Sequence, residues 1–174
     1  MEVRFVPPDL RRLDELKSEA LALCFFEDER PLRREVGLVD WRLCGAISRI
    51  LLRGRATGAL GETVLIPAQP RLPFDKLFLF GVGRVSQFDD AVVDGVVERI
   101  LDTLDRALVR TSVVSLPGRC TDRVRPEHAM KIFLGRAAMH PEQDQVCIIE
   151  TAEGQRAMMP VVERERRRER AEGI

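Results

Sequence analysis

Residues 77–84 read LFLFGVGR: an apolar run, two glycines one residue apart, then an arginine. Four consecutive apolar residues bounded by a charge and a glycine indicate a strand buried on both faces. The glycines then mark either a tight exit or a loop that cradles phosphate. Working outward, Glu19–Phe26 (EALALCFF) is too apolar to be half exposed and reads as a central strand. Thr63–Pro67 (TVLIP), Thr111–Leu116 (TSVVSL) and Gln145–Thr151 (QVCIIET) read as further buried strands, and Glu2–Val6 as a short one closed by Pro7-Pro8.

Helical spacing fills the intervals. Asp9 caps a short helix through about Leu16. Leu38–Arg53 carries Leu43, Ile47, Ile50 and Leu51 on one face, and Gly54 supplies a stop. Asp89–Leu108 holds the clearest 3.6-residue stripe, from Val92 to Leu108, with Asp89 or Asp90 as cap. Pro126–Met139 is a helix with proline in its first turn. Ala152-Glu153-Gly154 is read as a turn into a returning strand, Gln155–Val162, with a helix beginning near Pro160 as the alternative. Glu163–Glu172, four Glu with five Arg, is read as a solvated helical end or frayed terminus.

Strands alternating with helices imply an α/β fold, a three-layer α/β/α sandwich on a mixed, mainly parallel sheet, with the C-terminal hairpin as antiparallel edge. One domain over residues 1–162 and a charged tail over 163–174 are expected.

The 28 basic and 28 acidic residues cancel, which argues against a general nucleic-acid binder. Arginine outnumbers lysine 25 to 3, a bias that reads as a whole-composition effect. Cys24, Cys44, Cys120 and Cys147 form no CxxC pair, so neither a metal site nor a disulfide framework is expected. Cys24 and Cys147 fall in buried strands, whereas Cys120 lies in a polar loop between Arg119 and Asp122 and ahead of His128. That placement is the sequence's one hint of a nucleophile with a base. Met1 leads directly into a strand and no apolar run approaches ~20 residues, so a cytoplasmic chain without leader or membrane span is expected.

ALALCFFEDERPL, GLVDWRLCGAISRILLRGRATGALGETVLIP and LPFDKLFLFGVG, in that order, resemble the N-terminal domain of the leucyl (cytosol) aminopeptidase family. The shared features are a strand ending in Phe-Glu-Asp, Leu-Val-Asp at the next helix, a Gly-x-x-Gly-Glu loop before a strand, and a strand ending in Gly-x-Gly. The resemblance runs over residues 20–118. It implies a fold like the macro domain, in which loops of this kind hold a ribose and its phosphates. It also implies that peptidase chemistry belongs to the family's C-terminal domain, whose lysine and carboxylates hold two metal ions. No Asn-Thr-Asp-Ala-Glu-Gly-Arg run occurs here.

Gly81, Val82, Gly83 and Arg84, with Pro117, Gly118 and Arg119 after the TSVVSL strand, are the candidate ligand-binding residues, since ligands favour the carboxyl edge of open α/β sheets. Against that role, the third glycine of GxGxxG is missing, and Asp89-Asp90 at the next helix start would repel phosphate. Arg30, Arg33, Arg34, Arg49, Arg53 and Arg55 flank the first long helix and suit an acidic partner or nucleic acid, although Glu27, Asp28, Glu29 and Glu35 interleave with them. The expected function is a non-catalytic binding, regulatory or assembly module without metal or cofactor. It would take a protein partner or a second copy, with nucleic acid and membrane disfavoured. Two alternatives stay open: a macro-like domain for an ADP-ribose-type nucleotide, and the non-catalytic subunit of a split aminopeptidase.

Overall fold

The structure, a computed structural model, describes residues 1–172, with the backbone alone for Cys120 and Glu172. Six strands form one sheet in the order β1-β6-β5-β2-β4-β3. They are β1 (Glu2–Val6), β2 (Ala20–Phe25), β3 (Thr63–Pro67), β4 (Lys76–Gly81), β5 (Thr111–Val114) and β6 (Gln145–Ile149). All neighbours are parallel except β3, which runs antiparallel to β4 and pairs Leu65 with Phe78.

Both faces are covered, which explains the continuous apolar runs. Along β2, Leu21, Leu23 and Phe25 point into one core, while Ala20, Ala22 and Cys24 point into the other. The first core lies under α1 (Leu10–Asp14), α2 (Arg34–Arg42) and α3 (Ala46–Leu52). The second lies under α4 (Asp90–Arg106), α5 (Pro126–Ala137) and α6 (Ala152–Glu172). The three-layer α/β/α sandwich therefore stands. Among the described residues no helix is long and apolar enough to cross a membrane.

Two readings are corrected. The segment after β6 is not a hairpin: α6 begins at Ala152 and continues to Glu172, across the Val162–Glu163 boundary. Thr151 Oγ1 accepts the Gly154 N–H (3.1 Å), and Met158 and Val162, four residues apart, enter the core. Gly154 serves close packing and not a turn, because a Cβ there would lie 2.4 Å from the Glu150 side chain. The antiparallel edge accordingly belongs to β3. The single helix expected over Leu38–Arg53 is instead two helices meeting at Cys44-Gly45, both at positive φ (55° and 76°). Asp40, at the end of the first, accepts N–H bonds from Ile47 (2.8 Å) and Ser48 (3.1 Å) in the second. The same carboxylate thereby caps α3 from α2 and holds the corner.

Candidate functional site

The carboxyl ends of the parallel strands meet along one edge. A crevice of about 490 Å³ opens there, between the β2 exit (Asp28 to Arg34) and the turn after β5 (Thr121 to Arg123). Its charges largely answer one another. Arg34 pairs with Asp122, Arg33 approaches Glu29 at 4.0 Å, and Arg30 donates to the carbonyls of Phe26, Glu29 and Thr57. Asp28 accepts the Val85 N–H at 3.0 Å, so the first donor of the short turn after β4 is already taken.

None of the seven residues singled out from sequence is among those lining this crevice. The three N–H groups of Gly81, Val82 and Gly83 donate to the carbonyls of Glu62 (2.9 Å), Phe25 (3.1 Å) and Gly58 (2.9 Å). The loop over residues 57–62 thus lies directly on the β4 exit. A Cβ at Gly81 would stand 2.2 Å from the Ala59 oxygen, and one at Gly58 would stand 2.8 Å from the Phe26 carbonyl. Glu62 ties the loop closed by accepting from the backbone of Thr57 (2.8 Å) and Gly58 (2.6 Å). Arg84 is exposed and rests 3.3 Å from Glu27.

The second loop turns inward as well. Pro117 and Gly118 are buried, and Gly118, at φ 76°, faces the Phe88 ring so closely that a Cβ would meet it at 2.3 Å. Phe88 also packs edge-on against Phe26, with centroids 5.1 Å apart. It therefore fills the space between the β2 exit and the turn after β5, and its sequence context, QFDD, marked only the helix start. Arg119 points away from solvent. Its guanidinium clasps Glu150 (2.6 and 3.2 Å) and donates to the Val124 oxygen at 2.5 Å.

Two carboxylates missed in the sequence lie here. Glu150 is 3% exposed and takes the Thr151 N–H (2.8 Å) besides Arg119. Glu35 is 4% exposed and accepts a hydrogen bond from Ser115 Oγ. Burial pushes the Glu35 carboxyl above its ordinary range, partly offset by that bond. With Arg34 and Arg119 the two glutamates line a pocket of only about 10 Å³. The available signal was a charge closing an apolar run, as Glu150 closes QVCII.

The remaining candidates separate in space. The Cys120 side chain lies outside the described residues. His128 meets Asp90 at 3.0 Å at the start of α5, whereas His140, beyond the other end of that helix, meets Asp105 at 2.6 Å. Among the described residues, no group of three or more His, Cys, Asp or Glu is placed to hold a metal ion. Cys24 and Cys147 are both buried, and burial pushes the Cys147 thiol up to about 11. Trp41, on α2, is 73% exposed.

Comparison with known proteins places these features. The profile of the cytosol aminopeptidase family N-terminal domain matches residues 22–137. The cytosol aminopeptidase of Pseudomonas aeruginosa is 32% identical over 93 residues, covering 53% of this chain and 19% of that protein. The chain spans about a fifth of the length of such curated relatives. Among solved structures, a mutant of tomato leucine aminopeptidase superposes with TM-score 0.62 at 13% identity, covering 92% of this chain and 35% of its own. A Trypanosoma brucei macrodomain in complex with ADP gives 0.71 at 15% identity, covering 92% and 69%. At these identities the structural likenesses establish the macrodomain-like fold.

Proposed function

The chain belongs to the cytosol aminopeptidase family through its N-terminal domain, and we propose that these residues act as a non-catalytic protein-binding or assembly module. The carrying observation is that the Gly81, Val82 and Gly83 N–H groups, which would have to face a phosphate, are spent on the chain's own carbonyls. A buried donor already paired offers little to a ligand unless its first bond breaks. The proposal includes a cytoplasmic location, in keeping with relatives described as cytosol aminopeptidases. One form of it has a partner that carries the metal-binding half of an aminopeptidase.

The second reading, an ADP-ribose-type nucleotide site, draws on the likeness to a macrodomain in complex with ADP and on the crevice at the carboxyl edge. Thermal unfolding with added ADP-ribose separates the two. No shift is expected, and a saturable rise in wild type that is lost in Arg123→Ala, in the crevice lining, would promote the nucleotide reading. Co-purification from native extract with mass spectrometry is expected to recover a stoichiometric protein partner. Recovery of none, from extract in which the chain is expressed, would count against the module. The purified chain is expected to leave leucine amides uncleaved with zinc or manganese added.

A further inference from the structure

One surface lacks the self-satisfaction of the carboxyl edge. Between the turn at Arg30-Pro31-Leu32 and α3 runs a groove of about 460 Å³, walled by Pro31, Leu32, Leu51 and Leu52. Leu32 and Leu51 are partly buried against the core beneath α2 and α3, whereas Leu52 stands 86% exposed. A single exposed leucine is ordinary. Here it continues an apolar wall that the fold leaves uncovered, which is the condition that marks a docking surface.

Along its α3 side the groove is flanked by charge of one sign, while on the other side Asp28 is bound to the Val85 N–H and Glu29 lies 4.0 Å from Arg33. From Ala46 to Gly61 the chain contains Arg49, Arg53 and Arg55 and no carboxylate. Both acids of α2 are buried and committed, Asp40 to the α3 N–H groups and Glu35 to Ser115. Glu62, beyond the segment, is bound to Thr57 and Gly58. Arg49 spends one amino group on the Cys44 oxygen, while the exposed guanidinium groups of Arg53 and Arg55 make no ion pair with a described residue. A second copy seated symmetrically on this face would set these arginines against their equivalents, which disfavours self-pairing. An apolar wall without an aromatic ring offers nucleic acid no stacking platform. A helix with leucines at i, i+3, i+4 and i+7 and carboxylates on its flanks satisfies both the wall and the rim.

We propose that this groove binds an acidic amphipathic helix of a partner protein, with Leu51 and Leu52 as the apolar contact and Arg53 and Arg55 as the charged rim. The proposal rests on the module reading above. Its test is fluorescence anisotropy of the full chain with a labelled helical peptide of about 18 residues, leucine on one face and glutamate on both flanks. Saturable binding is expected. Roughly ten-fold weakening should follow from Leu52→Asp, and again from the pair Arg53→Glu with Arg55→Glu. Raising salt from about 50 to about 500 mM should weaken it several-fold. Circular dichroism should show the variants folded, since the altered residues are exposed. The groove is overturned by absent saturation, by equal affinity for a lysine-flanked peptide, by variants that bind as wild type does, or by tighter binding of a single-stranded oligonucleotide to the same residues. If a partner recovered from extract binds the Leu52→Asp protein undiminished, the groove falls and the module stands. If extract supplies no partner, the module falls by its own test.

Discussion

The carboxyl edge of the sheet and the groove beside α3 invert one another. The edge has the shape expected of a ligand site, but most of its donors and charges are consumed internally: three loop N–H groups by carbonyls, Arg119 by Glu150, Arg34 by Asp122. The groove has an unremarkable sequence and a plain shape, yet Leu52 and the Arg53 and Arg55 guanidinium groups have no internal use. A position where the strands of a fold converge is thus not by itself a site. What remains unsatisfied after folding is the better guide to where a partner acts.

Substitutions should separate the two regions by stability. The largest loss is expected for Arg119→Ala, about 3–5 kcal/mol by urea unfolding, because Glu150, 3% exposed, would lose its ion-pair partner and keep only its Thr151 hydrogen bonds. Arg119→Met combined with Glu150→Leu should restore much of it. A loss below about 1 kcal/mol for the single variant would mean the edge is not closed by this pair. Next comes Gly81→Ala, at about 1–3 kcal/mol, since the added methyl meets the Ala59 oxygen. Gly95→Ala is its control: nothing lies within 4 Å in α4, so a gain of about 0.5–1 kcal/mol is expected. Gly83→Ala, at φ 77°, should cost about 1 kcal/mol.

A pH series sharpens the contrast further. Burial raises the Glu35 carboxyl above the ordinary carboxylate range, so the native state holds its proton more tightly than the unfolded chain does. That preference stabilises fully below the ordinary value and is lost as pH rises through the folded one. The melting temperature of Glu35→Gln should therefore gain on wild type as pH climbs from weakly acidic to neutral. A constant difference would show that Glu35 is not buried as described. The smallest change is expected at the groove, where Leu52→Asp should stay within about 0.5 kcal/mol of wild type.

Most of the sandwich was legible residue by residue. The β2 and β4 runs, apolar at every position, could be stable only with both faces covered, and the valine and leucine stripe of α4 with Asp89 as cap fixed its extent to within two residues. Gly54, at φ 65°, ends α3 as a local stop should. The ordered motifs from Ala20 to Gly83 identified the family for the same reason, because they sit where the chain turns and packs.

By itself, then, the sequence determined strands, helices and kinship, since those depend on periodicity and on preferences acting within a few residues. Tertiary structure alone decided which groups would meet. Gly154 suits a turn until the Glu150 side chain occupies the space its Cβ would fill, and Met158 and Val162 suit strand or helix until a core awaits them four residues apart. The Gly81–Gly83 donors look open until the loop at 57–62 folds over them. Arg119 finds Glu150 31 residues away and Ser115 finds Glu35 80 residues away. No local propensity encodes such pairings, because the free energy of a buried polar group depends on its partner's position in space and not on its neighbours in the chain.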